Sequence, residues 1–486
     1  MKRTITTILV LLLMIAGCIS NTISVFATTA VPNLVGETAV LIDAKTGSIL
    51  YDKNMNEQRE PASTTKMITG LLAIENLPLD KVVTIDAETP FTEGSRIYLM
   101  EGEQITVEEL LYALFLESAN DAAVALAKEM AGSVEKFAVM MNERAAELGA
   151  KNTNFINPNG LHLEGHLTTA YDLAMIAKEC MKNETFRKFV ITYKHTIQPT
   201  NKQEEPRYMY NTNRLLYDTK KKVSANGVLR PAKYEGVTGI KTGYTSQAGG
   251  CLAASAKRDG TELIAVVMKS NDLGRFGDSI ALLDWGFENY HTVKTVEKDK
   301  NMGTIKVSKG KAKEVSLVTQ DVGYATLPID KKADSLTKVV KIEEKIEAPV
   351  EAGQIVGTVD FFQGDILMSS VNVVASKEVP LGGIFSLFSG SKDSGDKATE
   401  NNMTKAEKAE KAEKAEQGSS GSLFKKVIIG FSVFVATVVV AIAFLFIIRY
   451  RNLQKRKKRR AERAMRIAMD REMEKLYSKK ERVVNR

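Results

Sequence analysis

From Val427 to Ile448 the chain runs for 22 residues without a charged side chain. A helix rises about 1.5 Å per residue, so this stretch would span roughly 33 Å, enough for a hydrocarbon core of about 30 Å. A segment of that kind divides the rest of the chain into two sides. Arg449, Arg451 and the run Lys455 to Arg460 follow it, and residues 449–486 hold 16 Lys and Arg against 5 Asp and Glu, a net +11. The whole chain of 486 residues carries a formal +8, so everything before the tail carries 8 − 11 = −3. The basic balance therefore belongs to the tail alone, and a surface for nucleic acid is not supported. The positive-inside rule places the tail in the cytoplasm, against anionic membrane lipid, and the body of the protein outside.

The amino end agrees. Lys2 and Arg3 precede an apolar run from Ile8 to Ala16, the pattern of an export signal over residues 1–27. Cleavage is expected after Val25-Phe26-Ala27; the alternative is lipidation of Cys18 in Ile15-Ala16-Gly17-Cys18, redundant beside a second anchor. Cys180 and Cys251 remain in the body. Export permits a disulfide, but the patterns around them put one on a helix and one on a strand, so two buried free thiols are expected.

Residues 28–290 read as one α+β unit. Ala39 to Asp43, a Lys45-Thr46-Gly47 turn and Ser48 to Tyr51 form a hairpin pattern. Helices are expected from Pro61 to about Met181. Thr106 with Glu109 makes a capping box, Gly132 stops a helix begun near Asp121, Ser133 caps the next, and Thr169 with Asp172 opens another. Apolar strand patterns return at Val237–Thr245, Gly250–Lys257 and Glu262–Met268, the last two joined through Asp259-Gly260. A helix over Arg275–Asn289 carries the only tryptophan, Trp285. The first hairpin is expected to join these later strands in one antiparallel sheet beside a helical cluster. Residues 291–384 show short alternating runs and read as a small all-β domain. Residues 385–426, with near-copies of Lys-Ala-Glu between Lys405 and Glu416, read as a low-complexity linker. Residues 427–448 are then the transmembrane helix and 449–486 the cytoplasmic tail.

Three motifs stand in order within the first unit: Ser63-Thr64-Thr65-Lys66 after Pro61, Ser118-Ala119-Asn120 between two helices, and Lys241-Thr242-Gly243 on a strand. Ser63 and Lys66 are three apart and share a face of a helical turn. A serine hydroxyl needs a base within hydrogen-bond reach. Lys66 can serve if burial and a nearby cation such as Lys241 lower its pKa. Ser118 can relay a proton, and the Asn120 amide can orient the lysine and the substrate backbone. Gly243 lets a substrate strand lie close to the sheet edge, while Lys241 and Thr242 can hold a carboxylate. No cofactor is implied.

With Pro61-Ala62-Ser63-Thr64-Thr65-Lys66-Met67, Ser118-Ala119-Asn120-Asp121-Ala122 and Ile240-Lys241-Thr242-Gly243-Tyr244-Thr245 in view, the sequence over about residues 30–380 resembles the serine-type D-alanyl-D-alanine carboxypeptidases, the low-molecular-mass penicillin-binding proteins. That resemblance implies a serine β-lactamase/transpeptidase-like domain followed by a small β domain. It implies Ser63 as acylated nucleophile, Lys66 as base and Ser118 as relay. Asn120, Lys241, Thr242 and Gly243 would contact substrate, the backbone N–H groups of Ser63 and Tyr244 would form the oxyanion hole, and Arg275 would stand near the carboxylate pocket. The implied partners are peptidoglycan stem peptides, with β-lactams as covalent inhibitors. The family often anchors through a carboxy-terminal amphipathic helix; the full span here departs from that.

Other readings are weaker. Glu164-Gly165-His166-Leu167-Thr168 superficially resembles a deacylating loop of β-lactamases, but Thr168 belongs to the entry of the next helix. His162 and His166 are four apart, yet they sit in a Gly- and Asn-rich loop rather than on a helix, so no metal site is expected. A β-lactamase, an idle wall-binding scaffold, and endopeptidase action on crosslinks are the alternatives the motifs leave open. The amino-terminal reading has its own test: mass spectrometry should find a mature chain starting at Thr28, and a diacylated Cys18 would overturn it.

Overall fold

The computed structural model describes residues 31–383. The signal segment with Cys18, the linker, the apolar span and the basic tail lie outside the described residues. Among the described residues no helix is long and apolar enough to cross a membrane.

The centre is a five-stranded antiparallel sheet in the order β2-β1-β11-β10-β9, made of β1 (Thr38–Asp43), β2 (Ile49–Lys53), β9 (Val237–Thr245), β10 (Gly249–Arg258) and β11 (Thr261–Ser270). The first hairpin thus pairs with β11, Val40 opposite Val266. Every residue of β1 is buried, because both sheet faces are covered. Val40 and Ile42 join a core with the helical cluster, and Ala39 and Leu41 join a second core under α7 (Gly274–Asn289). Two buried faces explain why these strands read as solid apolar runs instead of alternating ones.

The helical cluster comprises α1 (Lys66–Asn76), α2 (Val107–Leu116), α3 (Asn120–Ala131), α4 (Val134–Glu147), α5 (Ala170–Cys180) and α6 (Glu184–Ile191). Thr106, Ser133 and Thr169 each accept a hydrogen bond from the N–H three residues on, and Gly132 closes α3 in the left-handed conformation. The capping box at Thr106 is one-sided: the Glu109 carboxylate meets the His195 ring at 2.7 Å. Cys180 and Cys251 are buried free thiols, on α5 and β10. Pro61 does not open an α-helix directly. A 3-10 turn, Ala62–Thr65, comes first and α1 starts only at Lys66.

Short hairpins that carry no long apolar signal complete the unit: β3 (Val82–Thr84) with β4 (Gln104–Thr106), β5 (Lys194–Ile197) with β6 (Arg207–Tyr210), and β7 (Lys222–Ala225) with β8 (Val228–Pro231). Beyond α7, β12 (Tyr290–Val296) pairs with β15 (Gly323–Pro328). A six-stranded sheet in the order β16-β18-β19-β14-β13-β17 holds the remaining core. Its members are β13 (Asn301–Ser308), β14 (Glu314–Thr319), β16 (Thr337–Ile342), β17 (Lys345–Glu347), β18 (Ile355–Gln363) and β19 (Ile366–Ala375). This β domain meets the catalytic sheet at the β1–β2 turn, where Asp43 accepts from Thr292 and Thr46 bonds Thr326.

One buried ion pair ties two loop systems together. Arg207 on β6 grips Glu103 with both guanidinium nitrogens at 2.7 and 2.9 Å, and the Glu103 side chain is fully buried. Removing one partner of such a pair strands a buried charge at a cost of about 3–5 kcal/mol. Glu103→Ala should therefore lower the Tm of the protein by about 4–7 °C in a thermal melt; a fall under about 2 °C would show the pair to be dispensable.

Candidate active site

The site begins with a strained turn. Ala62, directly before Ser63, holds φ at +47°, a region that costs a side-chain-bearing residue energy. The turn is held by Thr64 Oγ1 and Thr65 Oγ1, which donate to the carbonyls of Pro61 and Ala62 at 2.7 and 2.9 Å. Three residues on, Lys66 points back beneath Ser63 and is fully buried. Its Nζ stands 3.0 Å from Ser63 Oγ, 2.6 Å from Asn120 Oδ1 and 2.7 Å from the carbonyl of Asn159. Burial, then the neighbouring Lys241 cation, push the Lys66 pKa well below the ordinary lysine value, with Asp121 opposing. A neutral amine has two N–H groups and one lone pair. Asn120 Oδ1 and the Asn159 carbonyl take the two protons, which leaves the lone pair facing Ser63 Oγ.

The second motif sits between α2 and α3. Ser118 adopts φ +58° and accepts from Lys241 Nζ at 3.0 Å. Asn120 opens α3; one N–H of its amide donates to the Glu93 carbonyl at 2.6 Å, so Asn120 is locked between that loop and Lys66. Asp121 beneath it is fully buried and accepts from the N–H groups of Ile97 and Leu99.

The third motif lies on β9. Lys241 is buried, and burial followed by the Arg275 charge lowers its pKa to about 7. Thr242 Oγ1 is 2.7 Å from Thr212 Oγ1. Gly243 faces the Ser63 turn so closely that a Cβ there would fall 2.9 Å from the Ser63 nitrogen. Arg275, from α7, donates to the Gly243 carbonyl at 2.6 Å and pairs with Asp272 at 2.7 Å. Tyr244 continues the strand with its ring turned to solvent. Ser63, Lys66, Ser118, Asn120, Lys241, Thr242, Gly243 and Arg275 thus converge on one cleft.

Several contributors carry no motif. The loop after α4 brings the Asn159 carbonyl to Lys66 and, at 3.4 Å, to Ser63 Oγ. Gly160 (φ +83°) packs on Ala62, leaving no room for a Cβ. His166 anchors this loop: Nδ1 accepts from the Ile156 N–H at 3.0 Å, so Nε2 carries the proton toward Thr65 Oγ1, also at 3.0 Å. Burial holds the His166 pKa down, to about 4, which keeps it neutral. Glu164, in the same loop, is exposed. His162 pairs with Glu60 at 2.8 Å, away from His166.

A family model described as D-alanyl-D-alanine carboxypeptidase matches residues 25–272, and one described as the penicillin-binding protein 5 C-terminal domain matches residues 290–381. The chain is 38% identical over 349 residues to D-alanyl-D-alanine carboxypeptidase DacF of Bacillus subtilis, covering 70% of this chain and 85% of that protein. To DacC of Escherichia coli it is 31% identical over 370 residues, covering 74% and 88%. Penicillin-binding protein 5 from Haemophilus influenzae superimposes with a TM-score of 0.60 at 30% identity, over 72% of this chain and 99% of that one.

The electrostatics make a pH prediction. A base with a lowered pKa gains its neutral form as pH rises, giving an acid limb in the rate of serine acylation. Lys241→Gln removes the cation that helps hold Lys66 down, so the Lys66 pKa should rise. The acid limb for acylation by a fluorescent penicillin should then move to higher pH. An unmoved limb would mean that Lys66 does not set it.

Proposed function

This chain belongs to the D-alanyl-D-alanine carboxypeptidase family, and we propose that it removes the terminal D-alanine from peptidoglycan pentapeptide stems through an acyl-enzyme on Ser63. The observation that carries this reading is the buried Lys66 amine, whose two committed acceptors aim its remaining position at Ser63 Oγ.

Ser63 Oγ attacks the carbonyl between the two D-alanines while its proton passes to Lys66 Nζ. The tetrahedral oxyanion lies against the backbone N–H groups of Ser63 and Tyr244. The C–N bond breaks and D-alanine leaves, its nitrogen taking a proton by way of Ser118, whose Oγ stands 3.0 Å from Lys241 Nζ. Water then adds to the ester, gives a proton to the same base, and releases the tetrapeptide with Ser63 restored. Lys241, Thr242 and Arg275 supply positive charge and a hydroxyl for the terminal carboxylate. A β-lactam acylates Ser63 in the same way but leaves an ester that hydrolyses slowly. Turnover of β-lactams as in a β-lactamase is disfavoured, because Glu164 is exposed and the loop presents the Asn159 carbonyl to Ser63 instead.

The reading includes a location. The signal-like amino end and the apolar segment Val427 to Ile448 with its basic flank support export and a single membrane span. The catalytic domain would then work outside the cell, with the tail in the cytoplasm.

The test is release of D-alanine by the purified full-length protein from a peptide ending in Lys-D-Ala-D-Ala. Penicillin should abolish release, and Ser63→Ala should lose both release, by a factor of at least about 1000, and fluorescent-penicillin labelling. Labelling that survives in the variant would place the nucleophile elsewhere.

A further inference from the structure

Among the described residues, six aromatic side chains are exposed: Phe91, Tyr98, Tyr208, Tyr210 and Tyr244 over more than half of their surface, and Tyr193 over 42% of it. All six sit on segments bonded to the cleft, and none lies in the β domain. Phe91 ends the turn that leads to Glu93, the acceptor of the Asn120 amide. Tyr98 stands between Ile97 and Leu99, whose N–H groups are fixed by Asp121 beside Asn120. The Tyr210 N–H donates to Glu117, next to Ser118, at 2.6 Å. Tyr193 packs edge-on to Tyr210 at 6.0 Å, and Tyr208 lies two residues before Tyr210 on the same face of β6. Tyr244 follows Gly243 on the opposite wall.

Exposed aromatic rings cost solvation without adding to a core, and a cluster of them marks a contact surface. Tyr98 is the clearest case. Its backbone is held at φ +59° while its side chain remains 71% exposed. For a bulky residue that conformation is strained, and here the strain holds a ring out into water.

We propose that this aromatic rim binds the glycan strand from which the stem peptide hangs, a β-linked polymer of N-acetylated amino sugars. The proposal rests on the carboxypeptidase reading for the position of the peptide, and it adds the polymer as a second point of recognition. A five-residue stem reaches at most about 18 Å, so a scissile bond at Ser63 keeps its own glycan close to the rim. Five of the six rings are tyrosines, each with a flat apolar face and a hydroxyl. A pyranose presents the matching surface, C–H groups on its faces and hydroxyl and amide groups around its edge. The rings also lose little side-chain entropy on binding.

The test uses detergent-solubilised full-length protein and the variant Tyr98→Ala/Tyr208→Ala, with Tyr98→Phe/Tyr208→Phe beside it. The probe for binding is insoluble glycan stripped of its peptides. The wild type and the phenylalanine variant should sediment with it, and the alanine variant should bind at least tenfold more weakly. On polymeric pentapeptide peptidoglycan the alanine variant should lose about tenfold in kcat/KM, mostly through KM. On the soluble peptide, and in penicillin labelling, it should stay within twofold, which also shows that it is folded. A wild type that ignores bare glycan, as a protein- or membrane-docking rim would, overturns the proposal. So does an alanine variant that still binds it, or one equally impaired on soluble peptide. Absent D-alanine release from the soluble peptide by the wild type would sink the carboxypeptidase reading instead, while sedimentation would still decide the glycan site.

Discussion

The rest of the catalytic unit is organised around one buried amine. Taking an ammonium out of water costs several kcal/mol even after relaxation, and Lys66 has no carboxylate in direct contact to offset it. Its partners are a neutral amide oxygen, a backbone carbonyl and a hydroxyl. None of those groups carries a charge to offset the cost of burial, so the environment that makes Lys66 costly as a cation lowers its pKa and makes its neutral form, the one able to take a proton, more accessible. Each partner comes from a different part of the chain: α3, the loop after α4, and the turn before α1. The site therefore forms only when the whole helical cluster is packed against the sheet.

That dependence explains where the backbone is strained. Ala62, directly before Ser63, and Ser118, beside Lys241, both hold positive φ. Neither has the freedom of glycine, so the surrounding structure must supply the energy. Around Ala62 that support is visible in the Thr64 and Thr65 hydroxyls and in His166. Gly243 and Gly160 complete the enclosure, where any side chain would collide with the turn from Pro61 to Ser63.

Much of this was legible in the sequence because it was local. Helix caps at Thr106, Ser133 and Thr169, the stop at Gly132 and the doubly buried strands are written in residue types a few positions apart. The motifs gave Ser63, Lys66, Ser118, Asn120 and Lys241 to Gly243 as candidates, and the fold brings them into one cleft. What escaped was non-local or carried by backbone. A carbonyl such as that of Asn159 has no residue-type signature, and any residue in its place would offer the same acceptor. Thr212 reaches Thr242 across 30 positions. Residues 182–236, with α6 and the hairpins β5–β6 and β7–β8, are short, polar and aromatic; their order comes from contacts such as Arg207 with Glu103 rather than from periodicity. The sequence predicts α-helix in the turn after Pro61, and the close approach of Gly160 to Ala62 instead accompanies a 3-10 turn there.

Electrostatics join the two halves of the cleft. Lys66, Lys241 and Arg275 are all buried, whereas the acidic groups nearest them are Asp121, already filled by backbone N–H groups, and Asp272, which is largely exposed. Burial is the larger cause of both lowered lysine pKa values, and with so little opposite charge the basic groups add to it: Lys241 depresses Lys66, and Arg275 depresses Lys241. An incoming carboxylate changes that balance. By pairing with Lys241 and Arg275 it favours their charged forms, and it brings the missing negative charge to a region that was built without it. In the free site burial, with repulsion from Lys241 second, holds the Lys66 pKa down, and a bound carboxylate takes up the positive charge of Lys241 and Arg275. A substrate that ends in a carboxylate, one residue beyond the bond to be cut, fits that arrangement on physical grounds, independently of any likeness in sequence.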